Sequence, residues 1–229
     1  MRLCARLMAM RSRLKSVAAA AMAAPRDRSK PAATAVTLGL QGGGSHGAFQ
    51  WGVIEELLDA PSLRIRAVSG ASAGAMNAAM LAQGLALGGP SRAKELLEEL
   101  WRRVAAELGT PGVQMLHMVP WPWSLQSMLD LARGTGGPMS PMRQPFATNP
   151  LRHILNDLLE PAAFGTPAAP SLVVSATLVR NGEARLFHDS EVTVDALLAS
   201  ACLPQLFPTV EINGEAYWDG GYSTRRCGR

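Results

Sequence analysis

The stretch SGASAGA, residues 69–75, sets Ser72 between Gly70 and Gly74 in a G-x-S-x-G arrangement. That spacing suits a nucleophilic serine on a sharp strand-to-helix turn, where small flanking residues tolerate a strained backbone. The helix predicted to follow would direct the positive end of its dipole at the serine and favour the alkoxide. The chemistry implied is acyl transfer through a serine ester, and a serine used this way needs a base. The histidines are poorly placed for that role. His188 lies on a predicted hairpin arm, His153 on a helix face, His117 in a proline-rich stretch and His46 inside a glycine loop, and none follows Asp219. The best base candidate is therefore Asp219, in YWDGGY, a carboxylate at a predicted strand end with Gly220 and Gly221 permitting a tight turn beside it.

A second glycine-rich stretch, VTLGLQGGGSHGAFQWGV at residues 36–53, runs from an apolar strand into a helix. Gly42, Gly44 and Gly47 match the dinucleotide pattern G-x-G-x-x-G. That site also needs an acid about 20 residues on, at the end of the second strand, to hold a ribose. Here the second strand ends in Ser69-Gly70, and Asp59 falls at the end of the intervening helix. The nucleotide reading fails on that count.

The elements that must carry these residues alternate. Val36–Leu40 reads as a strand. Phe49, Val53, Ile54, Leu57 and Leu58 then recur at helical spacing over Ala48–Asp59. Ile65–Ser69 is predicted as a second strand, Ala73–Leu87 as a buried helix and Ala93–Leu108 as a helix with one charged face. Asn149-Pro150 predicts a capped helix start before Leu151–Leu159. Ser171–Val179 and Ala184–Phe187 form a hairpin about Asn181-Gly182, and a helix spans Val194–Cys202. A second hairpin about Asn213-Gly214 sends out Glu215–Trp218, which delivers Asp219. Alternation followed by hairpins predicts an α/β sandwich, parallel at its centre and antiparallel at one edge. The proline-rich residues 109–150, with Trp121 and Trp123, are read either as a connection packed on the body or as a lid beside the site.

Charge is distributed unevenly. The basic residues concentrate at the two ends and the body is mildly acidic, so the net charge of +4 does not imply a nucleic-acid partner. Residues 1–33, basic and alanine-rich, read as a disordered tail; as a secretory signal they lack a leucine-rich centre, and a targeting role stays open. Residues 34–229 form one domain. Three cysteines without ligand spacing argue against a disulfide framework or zinc site and for a cytoplasmic location. The charge-free run from Ala67 to Ser91 is long enough to span a membrane, but its glycines, Asn77 and Gln83 suit a strand, turn and buried helix better.

Taken in order, GGGSHG, GASAG, ASACLPQLFP (residues 199–208) and the late DGG resemble the motifs of patatin-like phospholipases, over about residues 37–222. The resemblance implies a three-layer α/β/α fold with a mostly parallel sheet, and lipid acyl hydrolysis by a Ser–Asp dyad. By motif position Ser72 is then the nucleophile and Asp219 the base, while the backbone N–H groups of Gly42, Gly43 and Gly44 form the oxyanion hole. His46 is expected to shape the helix start. A lipid or ester substrate and transient contact with a membrane surface follow; no cofactor or metal is expected.

After DGG the family runs on into further sheet and helix, whereas this sequence reads STRRCGR, so a C-terminally truncated and catalytically weak member is one expectation. An acyltransferase using the same dyad, with an alcohol in place of water, is the other alternative.

Overall fold

The structure, a computed structural model, describes residues 33–108, 149–204 and 207–223. The tail at residues 1–32 and the proline-rich stretch up to residue 148 lie outside these, as do the expectations placed on them. Among the described residues a single mixed sheet runs in the order β1 (Thr34–Leu40), β2 (Leu63–Ala71), β3 (Ser171–Leu178), β6 (Glu215–Asp219), β5 (Val210–Ile212), with β4 (Ala184–His188) also paired to β3. The β1–β2 and β2–β3 pairs are parallel; the β3–β4, β3–β6 and β5–β6 pairs are antiparallel. This is the expected α/β class of mixed sheet, with the parallel pairs running from the β1 edge to β3 and the antiparallel pairs lying beyond.

Strand alternation decides what each face carries. Leu38, Val68 and Leu172 lie side by side across three strands, as do Leu40, Gly70 and Val174; Val68, Leu172 and Val174 belong to the core, and Leu38 and Leu40 pack against it. The core is completed by two long elements, α1 (Gly47–Asp59) and α2 (Ala73–Leu108), and by α3 (Leu151–Leu158) and α4 (Val194–Ser200). The first half of α2 is apolar nearly all round because it is buried nearly all round: Ala75, Ala78, Ala79, Met80, Leu81 and Ala82 are inaccessible.

Two polar residues in that buried segment are hydrogen-bonded. Gln83 Nε2 donates to the Leu158 carbonyl (2.9 Å) and its Oε1 accepts from the Glu160 N–H (2.8 Å). Burial of an amide without partners would cost about 1–3 kcal/mol, so these bonds fix α3 against α2. The sequence predicted two helices, Ala73–Leu87 and Ala93–Leu108, and the structure joins them through a bend. Gly89 has φ 73° and ψ −157°, and Pro90 follows, so the helical hydrogen-bond ladder cannot run through unbroken. Asn149 caps α3 as expected, its Oδ1 accepting from the Leu151 N–H at 3.0 Å. The Asn213-Gly214 turn has positive φ at both residues (53° and 79°), the conformation that a two-residue hairpin demands.

Candidate active site

Ser72 leaves β2 with φ 55°, a left-handed conformation that costs a non-glycine residue about 1–2 kcal/mol. Its neighbours make that turn possible. A Cβ on Gly70 would run into the Gly74 carbonyl, and one on Gly74 would run into the Leu40 carbonyl at the end of β1. The elbow is therefore packed backbone to backbone, which only glycine permits. The Ser72 N–H is held by Ser200, donating to its carbonyl oxygen (3.1 Å) and to its Oγ (2.9 Å). Ser200 is fully buried at the end of α4, and its own hydroxyl donates to the Ser175 carbonyl of β3 (2.7 Å). Nothing in the sequence reading singled out Ser200. Its only signal was its place in the block ASACLPQLFP.

Asp219 ends β6 and is 5% exposed. Its backbone is locked on both sides: its N–H donates to the Cys202 carbonyl (2.8 Å), and its carbonyl accepts from the buried Thr177 hydroxyl (2.8 Å). Carboxylate Oδ1 accepts from the Gly221 N–H at 2.8 Å, whereas among the described residues the buried Oδ2 meets no donor at full hydrogen-bond geometry. Burial raises the carboxyl pKa above its ordinary value, opposed by the neighbouring Ser72 hydroxyl and the Gly221 N–H.

The strand register explains why two residues so far apart in sequence meet. Val174 of β3 pairs with Gly70 of β2 and with Phe187 of β4, so β2 and β4 occupy opposite edges of β3. Ala176 pairs with Arg185 of β4 and with Asp219 of β6, so β6 also lies opposite β4. Strands β2 and β6 thus share one edge of β3 and run toward each other, β2 ending opposite Ser175 and β6 ending opposite Ala176. A Cβ on Gly220 would lie 3.1 Å from the Ala71 Cβ. The serine and the carboxylate leave their strands at this junction.

The glycine loop closes over the same point. A Cβ on Gly42 would come within 2.9 Å of the Ser72 Cβ, so the loop backbone passes directly over the serine. Gly44 has φ 58°. Among the described residues the N–H groups of Gly42, Gly43 and Gly44 find no protein acceptor. The loop is anchored from behind. Gln50 Nε2 donates to the Gln41 carbonyl (2.6 Å), and the buried Asn77 donates to the Gly47 carbonyl (2.9 Å) and to Gln50 Oε1 (3.3 Å). Trp101 Nε1 donates to Asn77 Oδ1 at 2.8 Å. His46 Nδ1 donates to the Gly43 carbonyl (2.9 Å), the shaping part expected of it. Asn77, Gln50 and Trp101 were not anticipated as site residues.

The described histidines other than His46 lie elsewhere. His188 caps the short turn Asp189–Glu191, its N–H donating to Glu191 Oε2 at 3.0 Å, and it sits on the edge of β3 opposite Ser72. His153 is exposed on α3, 3.9 Å from Asp157. His117 lies outside the described residues. Cys202 is buried and its thiol is pushed up to about 11, chiefly by that burial, which leaves it a poor nucleophile. Among the described residues no group of three His, Cys, Asp or Glu could hold a metal ion, and no helix is long and apolar enough to cross a membrane.

The family model described as patatin-like phospholipase matches residues 38–225. Similar solved structures are VipD from Legionella pneumophila (18% identity, 84% of this chain and 46% of that one, TM-score 0.39) and ExoU in its complex with SpcU from the type III secretion system of Pseudomonas aeruginosa (21% identity, 74% and 36%, TM-score 0.34). The chain spans less than half the length of either. No curated protein matches it significantly.

Proposed function

Since the chain belongs to the patatin-like phospholipase family, whose members are lipid acyl hydrolases, we propose that it cleaves lipid or phospholipid esters through a Ser72–Asp219 dyad. The observation that carries this is the state of the Asp219 carboxylate. One oxygen is pinned by the Gly221 N–H; the other is buried beside the hydroxyl of a serine held at positive φ, and among the described residues no other donor serves it. A buried acceptor so poorly supplied is costly, and a proton arriving from the serine hydroxyl would relieve that cost.

In the first half-reaction Ser72 Oγ attacks the ester carbonyl while its proton passes to Asp219 Oδ2. The oxyanion that forms faces the free N–H groups of Gly42, Gly43 and Gly44, and donors of this kind are worth about 10²–10³ in rate each. Collapse expels the alcohol, which takes the proton from Asp219 and leaves acyl-Ser72. Water then attacks the acyl group as Asp219 removes its proton. A second oxyanion collapses to release the carboxylic acid, and the proton returns to Ser72. Asp219 needs no histidine between it and either nucleophile. Its raised pKa makes it a stronger base than an exposed aspartate.

The same reading gives α1 a second task. Phe49 is 77% exposed and Val53, one turn on, 44% exposed, on the helix that directly follows the glycine loop. An isolated exposed aromatic would need no explanation, but an apolar pair beside the site suits contact with a lipid surface that supplies the substrate.

The direct test is hydrolysis of p-nitrophenyl butyrate and p-nitrophenyl laurate by the purified chain beside Ser72→Ala. Turnover of either ester above the variant supports the proposal; equal rates in the two proteins overturn it.

A further inference from the structure

At the opposite end of the sheet from Ser72 is a pocket of about 410 Å³ that the proposed chemistry does not use. From Arg64 to Ser72 the chain advances eight strand residues, about 25 Å, so the two places are separate. The pocket exists because of the bend at Gly89-Pro90. Where α2 turns at that point, Leu85, Gly89 and Pro90 face the end of α1 (Leu57, Leu58) across the start of β2. The remaining wall is the segment from Pro167 to Ser171. Three prolines (Pro90, Pro167 and Pro170) stiffen this lining, so little conformational freedom remains to be lost when something binds.

The lining divides by chemistry. Leu57, Leu58, Leu63, Ile65 and Leu85 supply half-buried aliphatic surface, and two exposed arginines of β2, Arg64 and Arg66, belong to the same lining. The lining contains no carboxylate, and among the described residues neither arginine forms an ion pair. The adjacent acid, Asp59, is already tied to Lys94 at 2.6 Å. Two arginines that form no ion pair among the described residues, in a lining that is otherwise largely aliphatic, match a ligand with an anionic head and a hydrocarbon tail. The volume falls within the range of small-molecule sites, roughly 300–1,000 Å³. Planar guanidinium groups pair most specifically with a carboxylate or phosphate.

We infer that this pocket binds a medium- or long-chain carboxylate, with Arg64 and Arg66 holding the carboxylate and the leucines of α1, β2 and α2 holding the chain. The inference is independent of the hydrolytic proposal, because binding here involves neither Ser72 nor Asp219.

The test is a titration of the ¹⁵N-labelled full chain with sodium laurate, followed at the amides of Ile65, Leu85 and Ala168. The site-local readout keeps any binding near Ser72 separate, and failure to hydrolyse esters would not affect it. Saturable shifts are expected at these amides, with an affinity at least tenfold weaker in Arg64→Gln/Arg66→Gln, both exposed positions. 1-Dodecanol and sodium acetate, which lack the head and the tail respectively, should bind at least tenfold more weakly than laurate. The inference is overturned by absent shifts, by unchanged affinity in the arginine variant, or by dodecanol or acetate matching laurate.

Discussion

The Ser72 N–H reaches both oxygens of Ser200, the carbonyl at 3.1 Å and the hydroxyl at 2.9 Å, and that hydroxyl in turn donates to Ser175 of β3. The bond joins the elbow to the last residue of α4 across 128 positions of sequence. Ser200→Ala removes the hydroxyl half of this clamp and leaves the Ser175 carbonyl short of a donor. We expect a loss of about 1–2 kcal/mol in unfolding free energy and a fall of about tenfold or more in kcat, with KM little changed. Urea denaturation and ester kinetics on the same preparation check both. A stability loss without a kcat loss would confine Ser200 to a structural part.

The strain at Ser72 makes its own prediction. Both Ser72→Ala and Ser72→Gly remove the nucleophile, but only glycine is at ease at φ 55°. The glycine variant should be more stable than the alanine variant by about 1 kcal/mol, read from paired thermal melts. Equal stabilities would mean that the left-handed turn relaxes on substitution.

Asp219 presents the opposite balance of stability and activity. Its carboxyl pKa is raised in the folded protein, so burial opposes the charged form, and folding is penalised at any pH above that raised value. The penalty shrinks as pH falls below the folded pKa and the carboxyl takes up its proton, and it is gone once pH is below the ordinary aspartate value as well. Asp219→Asn keeps an acceptor for the Gly221 N–H and removes the buried charge. It should gain stability near neutral pH, on the order of 1 kcal/mol, while losing ester hydrolysis by about a hundredfold or more. In the parent the acid limb of kcat/KM should lie above the ordinary carboxylate range, as a pH–rate profile would reveal. A destabilised Asn variant, or a limb at ordinary aspartate values, would contradict this assignment.

Contact with a lipid surface is tested by Phe49→Ser. The residue is exposed, so the fold should survive. Hydrolysis of phospholipid in phosphatidylcholine vesicles should fall at least fivefold, while turnover of monomeric p-nitrophenyl butyrate stays within twofold. Parallel losses on both substrates would place Phe49 in the site and remove it from the membrane contact.

Much of this architecture is legible in the sequence because its signals are local. Helical spacing of apolar residues marks α1, a nearly all-apolar run marks the first half of α2, and Asn-Gly marks the turn between β5 and β6. The bend in α2 was read as a gap between two helices, since Gly-Gly-Pro announces a break without giving its angle. Asp219 could be proposed as the base for Ser72 from the poor placement of the histidines and from motif order, but not from any local periodicity. No periodicity reveals that β2 and β6 share an edge of β3, because that depends on how separate strands are placed. Ser200 and Asn77 were illegible for a related reason. Each is one small polar residue in an alanine-rich helix, and its importance lies in a carbonyl or side chain supplied by another element.

The central claim is that Ser72 is an activated nucleophile in the folded chain, and a fluorophosphonate probe tests it without requiring knowledge of the natural lipid. The probe should form a covalent adduct, which peptide mass spectrometry should place on Ser72. Labelling should be abolished in Ser72→Ala, slowed at least tenfold in Asp219→Asn and within tenfold of the parent in His188→Gln. An adduct on another residue, or labelling that survives intact in Ser72→Ala, would contradict the account.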